Sequence, residues 1–102
     1  MNNIRVIIKK VGDPPYMTVI PNELKKLQEI VEGNIETVTI TKDCCIICNE
    51  EGKLKRLSHN CNLFGNDFVG TIIFVGINED EFDNIPFSYG KFRDLFPELY
   101  GD

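Results

Sequence analysis

Four residues near the middle of the chain have the types and the spacing of a zinc site: Cys45, Cys48, His59 and Cys61. Thiolates and imidazole are ligands that tetrahedral zinc prefers, and a Cys-x-x-Cys pair often supplies half of such a site. The residues around the pair favour a strand, however, in which positions three apart point to opposite faces and lie about 10 Å apart. We therefore expect the cysteines to be small buried hydrophobic side chains, with a zinc-binding module as the alternative.

Other cysteine chemistry has less support in the sequence. A redox pair needs its first thiol at the start of a helix, where the dipole lowers the thiol pKa, but β-branched Ile46 and Ile47 fill the gap between the cysteines. His59 is the only histidine, and Cys61 lies too near it along the chain to be well placed as a nucleophile. We therefore predict no catalytic residues and no cofactor, and a small enzyme of unknown class is the third hypothesis.

A charged turn at residues 49–53 is the most distinctive segment of the chain. Adjacent carboxylates in a turn diverge, so they do not make an acid–base pair, and we predict a solvated hairpin tip in which Gly52 supplies a positive φ. The same turn can serve as a recognition loop. The candidate partner-binding residues are Asn49, Glu50, Glu51, Lys53 and Asn60. For the two asparagines we favour a structural role, in which side-chain bonds to backbone amides tie the turn to the following linker.

The composition predicts one folded domain spanning residues 1–102. Hydrophobic residues make up 42% of the chain and charged residues 26%, as in an ordinary soluble globule. The first residues lack the pattern of a signal peptide, and no apolar run approaches the roughly twenty residues that cross a bilayer as a helix. With four cysteines and no export signal, we expect a cytoplasmic protein whose cysteines remain thiols.

The chain is acidic, with a formal net charge of −5. The excess of acids falls in the last quarter of the chain, and residues 78–84 are predicted to form a solvated acidic loop that offers a second contact surface. Binding to a phosphate backbone relies on Lys and Arg that displace condensed counterions, and an acidic chain without a basic stripe is poorly suited to it. We therefore expect no direct contact with nucleic acid.

Hydrophobic periodicity predicts an α+β domain, with a mixed or antiparallel sheet of about five strands, one main helix at about residues 22–32 and a short C-terminal helix. Asn22 is expected to cap the main helix and Gly33 to end it in a left-handed conformation. The short helix is predicted to begin near Ser88 and to end before Pro97, within an aromatic tail that covers the core. The predicted strands cover residues 4–11, 16–20, 35–41, 44–48, 54–57 and 68–76. Strand 35–41 is interpreted as strictly alternating, and residues 58–67 as a polar linker.

Several short motifs occur along the chain in an order typical of a known family. They are Ile20-Pro21-Asn22 with Leu24, Leu27 and Gln28, then Val31-x-Gly33-x-Ile35-Glu36, Asn49-Glu50-Glu51-Gly52-Lys53-Leu54, Leu57-x-x-Asn60, and Val69-Gly70-Thr71 before Val75-Gly76. In these features the chain resembles the domain-of-unknown-function family 3846 of bacteria and their phages. The chain departs from the family pattern at Ser58 and Cys61, where the family has Pro and Arg. The resemblance implies a compact α+β domain, often encoded on mobile elements, and no established activity or ligand.

Taken together, these observations favour a small non-enzymatic protein of phage or mobile-element type that acts by binding another protein. The expected contacts are the turn at residues 49–53 and the acidic loop at residues 78–84.

Overall fold

The computed structural model describes residues 2–101. In this range the strands are β1 (Asn3–Lys9), β2 (Tyr16–Pro21), β3 (Ile35–Thr41), β4 (Cys44–Asn49), β5 (His59–Leu63), β6 (Asn66–Val69), β7 (Ile72–Asn78) and β8 (Glu81–Asp83). The helices are α1 (Leu24–Val31) and α2 (Tyr89–Leu95), and a 3₁₀ turn follows at Pro97–Tyr100. These elements confirm the α+β prediction.

Most of the strands form one sheet in the order β2-β1-β7-β4-β3, and β8 joins β7 to bring the total to six. Every pairing in this sheet is antiparallel. The other two strands, β5 and β6, pair with each other as a separate hairpin. The sequence predicted one sheet that is either mixed or antiparallel, and the described residues form an antiparallel sheet. Its edge strands are β2 and β3.

Strand β4 lies inside the sheet, between β7 and β3, and is buried along its whole length. Its side chains alternate between two clusters of buried residues. Cys44, Ile46 and Cys48 belong to one cluster, whereas Cys45 and Ile47 belong to the other. The prediction of an extended strand here is confirmed, and Cys45 and Cys48 lie on opposite faces of the sheet.

Helix α1 covers one of these faces. Leu27 and Val31 are its buried residues and pack against strand side chains, because their helical spacing places them on one side. The predicted cap at Asn22 is wrong. Its side chain donates a hydrogen bond to the Phe82 carbonyl at 3.0 Å, and Glu23 is the residue that precedes the first helical turn.

The C-terminal end of α1 corrects the prediction for Gly33. The left-handed residue is Glu32, with a φ of 64°, whereas Gly33 has no positive φ. Position 33 needs glycine for space, because a Cβ atom there would lie 2.6 Å from Asn49 Nδ2. The sequence pattern marked the end of the helix correctly but attributed the wrong role to the glycine.

The opposite face of the sheet is covered by the β5–β6 hairpin and by the C-terminal segment. The residues that pack there include Leu63, Phe68, Phe92, Phe96 and Leu99. The ring centre of Phe74, on β7, lies 4.8 Å from that of Phe92 and 5.7 Å from that of Phe96, distances typical of favourable aromatic pairs. The predicted role of the aromatic tail as a cover for the core is confirmed.

The short C-terminal helix also agrees with its prediction. Ser88 precedes α2, and its hydroxyl accepts a hydrogen bond from the Lys91 amide at 3.1 Å. The helix ends at Leu95, before Pro97 begins the 3₁₀ turn.

The segment after β4 differs from its prediction. Residues 54–57 are not a strand, because residues 50–56 form consecutive turns. The predicted polar linker at residues 58–67 contains β5 and the start of β6. Phe64 and Gly65 join these two strands, both with positive φ, which is the geometry of a tight hairpin turn. The hairpin escaped prediction because its exposed strands carry mostly polar side chains.

Two further predictions are corrected in the last third of the chain. Residues 68–76 were expected to form one buried strand, but Gly70, with a φ of 72°, separates β6 from β7. The acidic segment 78–84 was expected to be a loop, but β8 pairs with β7 there. Glu79 and Asp80 form the two-residue turn between these strands, both with positive φ.

Candidate binding cleft

The charged turn that follows β4 is compact. The Leu57 amide donates to the Gly52 carbonyl at 3.0 Å, which closes the turn on itself. Gly52 is buried and has no positive φ, so the predicted reason for glycine here is wrong. A Cβ atom at this position would lie 2.8 Å from Val69 Cγ2. Glycine is therefore needed so that the turn can lie against β6.

Asn49 holds this turn to the end of α1. Its Nδ2 donates to the carbonyls of Val31 and Glu32 at 3.0 and 3.1 Å, and its Oδ1 accepts from the Glu51 amide at 2.8 Å. The side chain is buried, with 6% of the residue exposed. The predicted tie to the following linker is thus wrong, because Asn49 connects the turn to the helix. It positions the turn and is not itself available to a partner.

A cleft of about 300 Å³ opens between this turn, strand β3 and strand β6. Glu36 and Val38 of β3 line one side, residues 50–54 line another, and residues 66–69 of β6 complete the wall. Cys48 and Asn49, both buried, also contribute to the lining. The fold therefore places three of the candidate residues, Glu50, Glu51 and Lys53, at a concave site.

Negative charge dominates this cleft. Its charged lining residues are Glu36, Glu50, Glu51, Asp67 and Lys53, and all of them are exposed. Asp67 Oδ1 lies 2.8 Å from His59 Nδ1, which is the single contact within 4.0 Å between a basic side chain and a carboxylate among residues 2–101. The three glutamates therefore have no basic partner in the described part of the chain. With four carboxylates and one lysine in its lining, the cleft has an excess of negative charge, which attracts positively charged groups.

Glu36 and Asp67 are cleft residues that the sequence pattern did not reveal. Glu36 faces Cys48 across the ladder and Val38 faces Ile46, so all four side chains lie on the same face of the sheet. The strict alternation predicted for strand 35–41 is thus wrong at its start. The adjacent polar residues at positions 36 and 37 were a signal of this break, whereas Asp67 lay in the unrecognised hairpin.

The thiols of this protein are poor nucleophiles at neutral pH. Burial raises the pKa of Cys44 to about 12 and the pKa of Cys45 to about 11, and it also raises the pKa of Cys61. At the cleft, burial raises the pKa of Cys48 to about 11, with the Glu36 carboxylate adding to the shift. Because the thiolate is the reactive form, the cleft holds no activated sulfur at neutral pH.

The residues of the alternative zinc site lie apart. Cys45 packs in the cluster beneath α1, on the opposite face of the sheet from Cys48. His59 is exposed and lies beside Asp67, while Cys61 packs against the cluster that contains Cys48. No group of three His, Cys, Asp or Glu side chains suited to a metal ion occurs between residues 2 and 101. The four proposed ligands therefore do not converge on one point.

Asn60, the remaining candidate residue, lies outside the cleft. Its Nδ2 donates to the carbonyls of Lys9 and Gly70 at 2.9 and 2.7 Å. These bonds join β5 to the end of β1 and to the link between β6 and β7. The Asn60 side chain has a structural role, as favoured from the sequence. Its partners are the carbonyls of Lys9 and Gly70, however, and not backbone amides of the charged turn.

The acidic segment 78–84 lies far from the cleft. Strands β4 and β7 are antiparallel, and Cys44 at the start of β4 pairs with Gly76 near the end of β7. The acidic segment is therefore near the start of β4, whereas the charged turn follows its end. A six-residue strand spans about 20 Å. The two contact regions predicted from the sequence thus lie at opposite ends of the sheet and do not form one continuous surface.

No helix between residues 2 and 101 combines the length and the apolar character needed to span a bilayer. The chain matches no curated protein and no solved structure. A family match extends over residues 4–96, which is most of the chain and agrees with the resemblance seen in the sequence motifs. The chain therefore belongs to the family described as a domain of unknown function (DUF3846).

Proposed function

We propose that this chain is a non-enzymatic protein-binding module whose cleft holds a positively charged segment of another protein. The observation that carries the proposal is the grouping of four carboxylates around one concave site, three of them without a basic partner in residues 2–101. A Lys or Arg side chain that enters the cleft meets several acceptors, and Arg can bind a carboxylate through two hydrogen bonds.

An apolar contact adds to this electrostatic argument. Leu54 lines the cleft at the tip of the charged turn and is 82% exposed. Interfaces between proteins combine a buried apolar anchor with a polar rim. Leu54 supplies such an anchor next to Glu50 and Glu51, so the cleft suits a partner segment that carries both basic and apolar side chains.

The same charges disfavour two other classes of function. Phosphate groups of a nucleic acid would be repelled by the cleft carboxylates. Enzymatic acid–base chemistry is favoured by carboxyl groups that lie in different environments, whereas Glu36, Glu50 and Glu51 are all exposed to solvent. The free thiols suit a reducing compartment, and we propose a cytoplasmic location, as expected from the sequence; a bacterial or phage setting is what the family resemblance implies.

The proposal is tested by selection from a displayed library of random peptides on the immobilised protein. Synthetic versions of the selected peptides are then titrated into three proteins: the natural chain, the variant Glu36→Gln/Glu50→Gln/Glu51→Gln, and the control Glu79→Gln/Asp80→Asn/Glu81→Gln. The control removes the same number of charges at the opposite end of the sheet. Both sets of side chains are exposed, so both variants are expected to fold.

We expect the selected peptides to be enriched in Lys and Arg. Their affinity should fall roughly tenfold in the cleft variant, since each exposed ion pair contributes a few tenths to one kcal/mol, and it should stay nearly unchanged in the control variant. Equal affinities in all three proteins, or a larger loss in the control, would contradict the proposal.

A further inference from the structure

Strand β3 leaves one edge of the sheet open, because β4 is its only strand neighbour in the described part of the chain. The Glu50 amide donates to the Asn34 carbonyl at 2.8 Å. The hydrogen-bonded pairs of an antiparallel ladder occur at every second residue, so Glu36 also bonds to β4 through its backbone. The amide and carbonyl groups of Thr37 and Thr39 therefore point away from β4.

Residues 35–39 of this edge lack the lysine, the proline and the bulge that would hinder pairing with a further strand. Proteins often protect an exposed edge with Lys, with Pro or with a bulge. The residues of β3 include neither Lys nor Pro, and its register shift falls between Thr39 and Thr41, beyond the regular residues 35–39. Thr37 and Thr39 are both exposed. Unpaired amides and carbonyls therefore occur at every second residue of this edge, which is the spacing at which an added antiparallel strand forms its hydrogen bonds.

The open edge and the acidic cleft belong to the same surface. Glu36 and Val38, which line the cleft, are residues of β3. The side chains of a paired strand alternate between the two faces, and facing residues have Cβ atoms about 4.5–5.5 Å apart. Every second side chain of an added strand would therefore lie beside Glu36 and Val38, with the carboxylates of the turn nearby.

We propose that β3 binds an extended segment of another protein as an additional strand, and that the segment carries Lys or Arg at alternate positions facing the cleft. This inference rests on the proposed function and adds the conformation of the partner and the spacing of its charges. Backbone hydrogen bonds supply affinity in such strand addition, and the alternate side chains supply specificity.

Charge argues against a second copy of this chain as the occupant. Each copy carries a formal net charge of −5, and pairing of two β3 strands would bring two acidic clefts together. Like charges at close range oppose such association. A basic segment of a different protein is attracted by the same negative charges.

The test uses the synthetic peptides selected on the natural chain, together with the variants Thr37→Pro and Thr37→Val. Proline removes the outward amide of position 37 without removing a bond to β4, and proline is tolerated at such edge positions. Valine keeps the amide and the strand preference. We expect Thr37→Pro to weaken peptide binding roughly tenfold, through the lost hydrogen bond and the obstructed approach, and Thr37→Val to change it less than about twofold.

A second measurement does not depend on the folding of the proline variant. Amide hydrogen exchange of the natural chain, with and without saturating peptide, should slow at Thr37 and Thr39, because added-strand bonds protect both amides. If peptides lose affinity in the glutamate variant but protect neither amide, the proposed function stands and strand addition is wrong. If binding is independent of the glutamates, both proposals are wrong. Concentration-dependent dimerisation that is abolished by Thr37→Pro would assign the edge to a second copy and would also contradict strand addition by a basic partner.

Discussion

The two edges of the sheet differ in the backbone groups that they present. At β3, the regular outward positions are Ile35, Thr37 and Thr39, and each of them has a backbone amide. At β2, the Asn22 amide donates to the Asn2 carbonyl at 2.9 Å, so the alternation of the ladder directs Met17, Val19 and Pro21 outward. Pro21 has no amide to donate. One outward position of β2 is thus closed to strand pairing, whereas the corresponding positions of β3 are open.

The edges also differ in charge. A groove of about 740 Å³ lies between β2 and α1, and its lining includes Lys10, Lys26, Glu29 and Glu32 together with apolar side chains. The positive and negative groups balance there, whereas carboxylates predominate beside β3. The comparison shows that two edges of one sheet can acquire different binding properties through the few residues that point outward.

The largest expected effect is that of Asn49→Ala, which would remove the support of the charged turn beside the β3 edge, a support that the β2 edge does not have. The substitution leaves the carbonyls of Val31 and Glu32 and the amide of Glu51 without their side-chain partner. We expect the free energy of unfolding in urea to fall by about 2–4 kcal/mol.

A matched control for this substitution is Asn34→Ala. The Asn34 side chain is exposed and accepts a hydrogen bond from Gln28 Nε2 at 3.2 Å. Its removal should change the free energy of unfolding by less than about 0.5 kcal/mol. Equal losses in the two variants would show that Asn49 does not hold the turn.

A smaller effect on the free energy of unfolding is expected at high pH from Cys48, which lies on β4 opposite Glu36 of β3. Its pKa is raised from 9.0 in the unfolded chain to about 11 in the fold, chiefly by burial. The unfolded state therefore loses its proton first as the pH rises, so the stability present below pH 9 is lost progressively up to about pH 11. At pH 10 this cysteine alone should account for a loss of about 1 kcal/mol.

The measurement compares the natural chain with Cys48→Val by urea unfolding between pH 7 and about pH 11. The variant should show a shallower decline above pH 9, since valine does not ionise, and the curves should run parallel below pH 8. A parallel decline over the whole range would contradict the burial of this thiol.

The smallest effect is expected from Pro21→Thr, which gives the β2 edge the outward amide that it lacks. The unfolded chain becomes less restricted, so the free energy of unfolding should fall by about 0.5 kcal/mol. Affinity for the basic peptides should not rise, because the groove beside β2 lacks an excess of carboxylates. A gain in affinity would show that an open edge alone is sufficient and that the acidic cleft is not the selective feature. Titration of the same synthetic peptides supplies this measurement.

Elements with strong local signals were predicted well from the sequence. The β-branched residues around Cys45 and Cys48 predicted β4 and the opposite orientation of the two sulfurs. The spacing of Leu27 and Val31 predicted α1. Segments with polar strands were not predicted, because the β5–β6 hairpin buries few side chains and so lacks a strong hydrophobic pattern. The prediction of a strand at residues 54–57 was wrong, because these residues belong to a compact turn that the hydrogen bond from the Leu57 amide to the Gly52 carbonyl closes.

The candidate site was predicted only in part. Glu50, Glu51 and Lys53 were identified from their place in a charged turn, and they line the cleft. Glu36 and Asp67 were missed, since they reach the cleft from β3 and from the hairpin. Neither residue is near the turn in the sequence, and only the pairing of strands brings them to it.

The sequence by itself determined the α+β class, the main helix and strand β4, because each depends on composition or on the spacing of neighbouring residues, and its motifs carried the resemblance to the family. The tertiary structure decided which carboxylates share a cleft, which edge of the sheet is open, and why Gly33 and Gly52 must be glycine. These features depend on contacts between residues that are distant along the chain. No local pattern encodes such contacts, because they form only when the strands pair and the layers pack.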